Sequence, residues 1–107
     1  MTVYLSNAFS LSMLTPPTTI KVVEASVEDV KNILNQGFVS AIGHEATAQV
    51  ITTQLSIPVP TNRVSIKLQD GDILIVFQLL TRLPEGKILT EAEMRQVPSK
   101  WYIVTLQ

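Results

Sequence analysis

The chain has no cysteine among its 107 residues, which excludes a disulfide framework, a thiolate zinc site and a cysteine nucleophile. Neither sign of charge prevails. Eight Lys and Arg stand against nine Asp and Glu, so a broad electrostatic footprint on duplex nucleic acid is not expected. No apolar run approaches a bilayer span; the longest, residues 73–80, is far too short and Gln78 interrupts it. The N-terminus lacks a basic n-region, and Asn7 and Ser10 break what would be an apolar h-region. These absences lead us to expect a cytoplasmic, non-membrane protein. Aromatic residues are sparse, and only Phe77 falls in the middle of a long predicted strand, which speaks against an RNA-stacking sheet. Glycine-rich nucleotide loops, a Gly-x-Ser-x-Gly elbow and the two-histidine zinc-protease helix are all missing. The carboxylates do not bunch into a two-metal site, and Asp70 and Asp72 read as turn chemistry. Neither a metal nor a cofactor is expected.

What is present suits one domain, residues 1–107. Its 46% hydrophobic content is high for so short a chain and favours a buried subunit interface. Strands are predicted at residues 2–5, 18–23, 38–42, 64–68, 73–80 and 101–106. Val64, Ile66 and Leu68 alternate with polar residues, and Asp70-Gly71 is expected to turn that strand back as a hairpin. The run 73–80 is apolar on both faces and should be central. Ser26 and Asp29 form a capping box for a first helix, which Gly37 closes. A second helix runs from His44 to about Leu55, with Ala48, Ile51 and Leu55 on its buried stripe. Thr90 and Glu93 box a short third one. The fold class is therefore α+β or α/β: a mixed sheet of about five to six strands flanked by helices.

The only histidine, His44, lies in the run Ser40-Ala41-Ile42-Gly43-His44-Glu45-Ala46-Thr47. Imidazole is the default carrier of acid–base chemistry near neutral pH. The strand-to-helix junction adds to this, because unpaired helical N–H groups and the positive dipole end attract phosphate oxygens. Further along stands Thr81-Arg82-Leu83-Pro84-Glu85-Gly86. Arg82 is suited to clamp a phosphate bidentately, and Glu85 to hold the proton of His44. Asn62-Arg63 is a second phosphate-positioning candidate. The competing readings are a helix-start histidine with an ordinary hydrogen bond and a solvated loop ion pair.

Four blocks carry a resemblance. They are Tyr4-Leu5-Ser6-Asn7-Ala8-Phe9-Ser10-Leu11-Ser12-Met13-Leu14, then Ala41-Ile42-Gly43-His44-Glu45-Ala46-Thr47, then Asn62-Arg63-Val64, then Arg82-Leu83-Pro84-Glu85-Gly86-Lys87-Ile88-Leu89. In these the chain resembles the viral type III anti-CRISPR ring nuclease family and its bacterial and archaeal relatives, with the blocks in the same order. The resemblance implies a homodimer around a mixed sheet that binds cyclic tetra-adenylate across the dimer and cuts it without metal. His44 then matches the family's general acid, and Arg82 and Glu85 its catalytic partners. Asn7, Ser10, Ser12, Arg63, Gln78 and Thr81 fall at ligand-binding positions. Three departures stand out. Ser12 replaces an asparagine, Leu83-Pro84-Glu85 replaces Leu-Glu-Glu, and Glu45-Ala46 replaces Asp-Ser.

The implied chemistry agrees with the residues. An RNA phosphodiester carries its own nucleophile, the ribose 2′-hydroxyl. The enzyme has to align it, stabilise charge on the crowded phosphorus and protonate the leaving 5′-oxygen. The products would be linear di-adenylate ending in a 2′,3′-cyclic phosphate, and type III CRISPR signalling would be switched off. Two alternatives differ in class. One is a non-catalytic sponge that sequesters the ring, motivated by Ser12 and Pro84; the other is a nucleic-acid-binding regulatory module, motivated by fold class alone.

Overall fold

Five strands form one mixed sheet in the order β2-β5-β4-β1-β3. The computed structural model describes residues 1–83 and 88–107. The strands are β1 (Val3–Ser6), β2 (Ile20–Ala25), β3 (Val39–Ser40), β4 (Ile73–Leu79) and β5 (Ser99–Leu106). Between them lie a 3₁₀ turn (Leu11–Met13) and helices α1 (Val27–Leu34), α2 (Glu45–Leu55) and α3 (Glu91–Arg95). β1 pairs in parallel with both β3 and β4, whereas β5 is antiparallel to both β4 and β2.

Local chemistry accounts for the starts of α1 and α3. Ser26 Oγ accepts from Asp29 N at 3.1 Å while the Asp29 carboxylate accepts from Ser26 N, so two orphan donors of α1 are satisfied. Thr90 and Glu93 do the same for α3. α2 ends at Ser56, whose φ of 56° is left-handed and whose N–H returns to Thr52 O at 2.8 Å.

The three helices cover one face of the sheet. Val3, Leu5, Ile75, Phe77 and Trp101 meet Val30, Leu34, Ile51 and Leu55 there. Phe77 and Trp101 are cross-strand partners with ring centroids 4.7 Å apart and tilted by 55°. Such a pair adds about 0.5–1.5 kcal/mol beyond area burial. β4 is the central strand expected from its apolar run, with Leu74, Ile75, Val76 and Phe77 all buried.

The other face departs from expectation. Residues 64–68 are not a strand, so the hairpin into β4 does not form. Both edges of β4 are already taken by β1 and β5, which leaves no free ladder for a further partner. The alternation instead reflects burial. Ile66 and Leu68 join Leu14 against Leu74, Val76 and Val104 as an irregular cover. Leu68 N donates to Met13 O at 2.8 Å, and Lys67 Nζ donates to Ser12 O and Leu14 O at 3.2 and 3.1 Å. The two coverings are thus tied to each other rather than to the sheet.

Candidate functional site

Parallel pairing of β1, β3 and β4 brings their carboxyl ends to one edge of the sheet, where ligands of α/β sheets bind. Asn7 directly follows β1. Gly43-His44 joins β3 to α2. Gln78 lies near the end of β4, with Thr81 and Arg82 just beyond it. The topology therefore gathers Asn7, His44, Gln78, Thr81 and Arg82 at a common edge, although they are scattered along the chain.

His44 is the N-cap residue of α2, extended at φ −126° and ψ 128°, and its side chain makes no cap hydrogen bond. Its carbonyl already accepts from Ala48 N at 3.0 Å. The imidazole is exposed and has no hydrogen-bond partner among the described residues. The helix therefore opens with free N–H groups and an uncommitted imidazole.

Arg63 comes to the same place from a different direction. Its Nε donates to the carbonyl of Gly43 at 2.9 Å. A β-carbon at Gly43 would lie 3.2 Å from Arg63 Cγ, so the side chain rests directly over the glycine. Both Nη atoms remain without a partner among the described residues and can meet an anion. Asn62, read from sequence as a phosphate-positioning candidate, does not stand open to a ligand. Its Nδ2 donates to Ser40 O at 2.7 Å and its N–H to Ile42 O at 2.8 Å.

Ser10 and Ser12 are exposed at the turn after β1, and their hydroxyls are 3.0 Å apart. Gln78 is exposed, and its Nε2 donates to Leu79 O at 3.0 Å. Thr81 and Arg82 are exposed. Glu85 and Pro84 lie outside the described residues. A cleft of about 290 Å³ separates the first turns of α2 from the segments flanking residues 84–87. Glu45, Gln49, Leu83, Ile88 and Met94 are among its walls. The first turns of α2 therefore share one cleft with Leu83 and Ile88. No sequence signal marked Gln49 or Met94, because their meeting depends on how α2 packs on α3. Among the described residues no group of three or more His, Asp or Glu is placed to hold a metal ion. None of the helices found there is long and apolar enough to cross a membrane.

A family model described as STIV B116-like matches residues 3–101. The chain belongs to this family. The B116-like assignment is consistent with the ring nuclease resemblance read from the four sequence blocks. The solved structure of B116 of Sulfolobus turreted icosahedral virus superposes with a TM-score of 0.85 at 33% identity, covering 98% of this chain and 99% of that one. Protein 26 of Sulfolobus islandicus filamentous virus is 45% identical over 76 residues, which are 69% of this chain and 64% of that protein. The match thus spans just under two thirds of that relative's length. ORF117 of Acidianus two-tailed virus is 33% identical over 105 residues, 94% of this chain and 90% of that protein. This chain and B116 of Sulfolobus turreted icosahedral virus thus share one fold over nearly their full lengths.

Proposed function

We propose that this B116-like chain is a metal-independent ring nuclease that binds cyclic tetra-adenylate across a homodimer. It cuts the ring at two linkages to give two linear di-adenylates, each ending in a 2′,3′-cyclic phosphate, and so switches off type III CRISPR signalling in the host cytoplasm. The observation that carries this reading is the seating of Arg63 over Gly43, immediately before an exposed, uncapped His44. A fixed guanidinium, open helix N–H groups and a free imidazole at one edge suit a phosphodiester better than a neutral ligand.

In the proposed reaction the ribose 2′-oxygen attacks phosphorus and loses its proton to solvent. The bond from phosphorus to the 5′-oxygen breaks, and His44 donates the proton that the departing oxygen takes up. Arg82 stabilises the charge that develops on the non-bridging oxygens. Glu85 is the third member of the catalytic set that the resemblance implies. Arg63, Asn7, Gln78, Thr81, Ser10 and Ser12 hold the ring. Two-fold symmetry suits a ring ligand, because it presents one copy of the site to each half.

The test is cyclic tetra-adenylate incubated in EDTA with wild type and His44→Ala, with products separated by chromatography and mass. We expect the cyclic-phosphate-ended product from wild type and a rate lower by about 10²–10⁴-fold in the variant. Undiminished cleavage by His44→Ala would remove the histidine from the mechanism. An intact but tightly held ring in wild type would make the protein a sponge, and an ignored ring would defeat both readings.

A further inference from the structure

Residues 60–63 run beside the β3–α2 junction as a strap. Ser40 Oγ donates to Pro60 O at 2.6 Å, Asn62 Nδ2 to Ser40 O at 2.7 Å, Asn62 N to Ile42 O at 2.8 Å and Arg63 Nε to Gly43 O at 2.9 Å. The pattern follows from strand geometry. Ala41 N is spent on Leu5 O of β1 at 2.7 Å, so the alternate carbonyls of Ser40 and Ile42 face away from β1. Asn62 takes both, one with its side chain and one with its backbone. Arg63 takes the next available carbonyl, at Gly43.

This strap fixes the backbone up to the residue before His44. From there on the histidine has no side-chain bond of its own among the described residues. The backbone that the strap holds thus fixes where the His44 side chain leaves the chain, and no side-chain bond adds to that. Asn62 is half-buried, and its two N–H groups named above are already used within the protein.

We infer that Asn62 is a positioning residue: it holds the β3–α2 junction in register and acts on the reaction only through His44. The inference rests on the ring-nuclease reading above. It separates two neighbours in sequence by role, with Arg63 facing the ligand and Asn62 facing the scaffold.

The experiment compares wild type with Asn62→Ala and Asn62→Leu. The leucine keeps most of the volume and removes the Nδ2 donor without adding charge, so a folded test remains should the alanine variant fail. For each, kcat and KM are measured on cyclic tetra-adenylate. The imidazole signals of the single histidine are recorded by NMR without ligand, beside the core methyl signals. We expect kcat to fall by about 10-fold to 100-fold with KM little changed, and the imidazole signals to shift or broaden while the core methyls stay in place. Wild-type kcat in the folded variants overturns the inference, as does an imidazole signal that does not move. A rise in KM matching the loss in kcat/KM also overturns it, because Asn62 would then touch the ring. A wild type that leaves the ring uncut defeats the ring-nuclease reading, while the ligand-free imidazole signal still decides whether Asn62 positions His44.

Discussion

Arg63 Nε sits 2.9 Å from the carbonyl oxygen of Gly43, and Arg63 Cγ would lie only 3.2 Å from a β-carbon placed there. The glycine is the space the arginine occupies. Gly43→Ala should therefore displace the Arg63 side chain by a few tenths of an ångström. A charged hydrogen bond to a phosphate is worth about 1.5–3 kcal/mol, so ring affinity should fall by roughly 10-fold to 100-fold in Arg63→Ala and by less in Gly43→Ala. Binding of cyclic tetra-adenylate in His44→Ala backgrounds, where cleavage is expected to be slow, checks this. Arg63→Lys should recover little, since an ammonium cannot hold Gly43 O and fork to a phosphate at once. Wild-type affinity in Arg63→Ala would mean that the guanidinium is not a ring contact.

The irregular cover on the second face yields a different expectation. Lys67 Nζ bridges Ser12 O and Leu14 O, and so pins the turn that presents Ser10 and Ser12. Lys67→Ala should loosen that turn while leaving the sheet and His44 as they are. Because the ammonium is exposed, its loss should cost about 1 kcal/mol and weaken ring binding by roughly threefold to tenfold, with kcat unchanged at saturating ring. A fall in kcat instead would place Lys67 nearer the reacting phosphate than the turn it holds.

Much of this fold was legible because its signals are local. The boxes Ser26/Asp29 and Thr90/Glu93 span three residues each and are satisfied within one helical turn. The apolar run of β4 announced burial on both faces. Residues 64–68 misled because alternation reports which side chains are buried, whereas strand pairing depends on whether an edge is vacant. That vacancy is decided by β1 and β5, which lie far away in sequence. The site divides in the same way. His44 at a strand-to-helix junction was readable from Gly43-His44 and the helical pattern after it. The Arg63–Gly43 contact spans 20 residues, and the inward turn of the Asn62 side chain depends on which carbonyls β1 leaves free. Neither leaves a trace in local pattern.

Asp72 supplies the stability test. It is buried, and its two carboxylate oxygens accept from Thr2 N and Gln69 N, both at 2.9 Å. One bond closes the turn before β4, and the other fastens the residue before β1. The carboxylate thus staples the start of the parallel β1–β4 pair, whose register runs Val3↔Ile73 to Ser6↔Val76. Asp72→Ala leaves two partly buried N–H groups without acceptors, at about 1–3 kcal/mol each when fully enclosed. Partial exposure of both donors reduces that, so a loss of about 2–3 kcal/mol is expected, with a lower urea midpoint and an unchanged m-value. Asp72→Asn keeps one acceptor oxygen and should lose roughly half as much. Because the pair also sets where Asn7 stands beside β4, Asp72→Ala should weaken ring binding only when the temperature approaches its lowered midpoint. A binding defect far below that midpoint would show that the β1–β4 register shifts in the folded state, whereas a loss of stability alone would confine Asp72 to the staple.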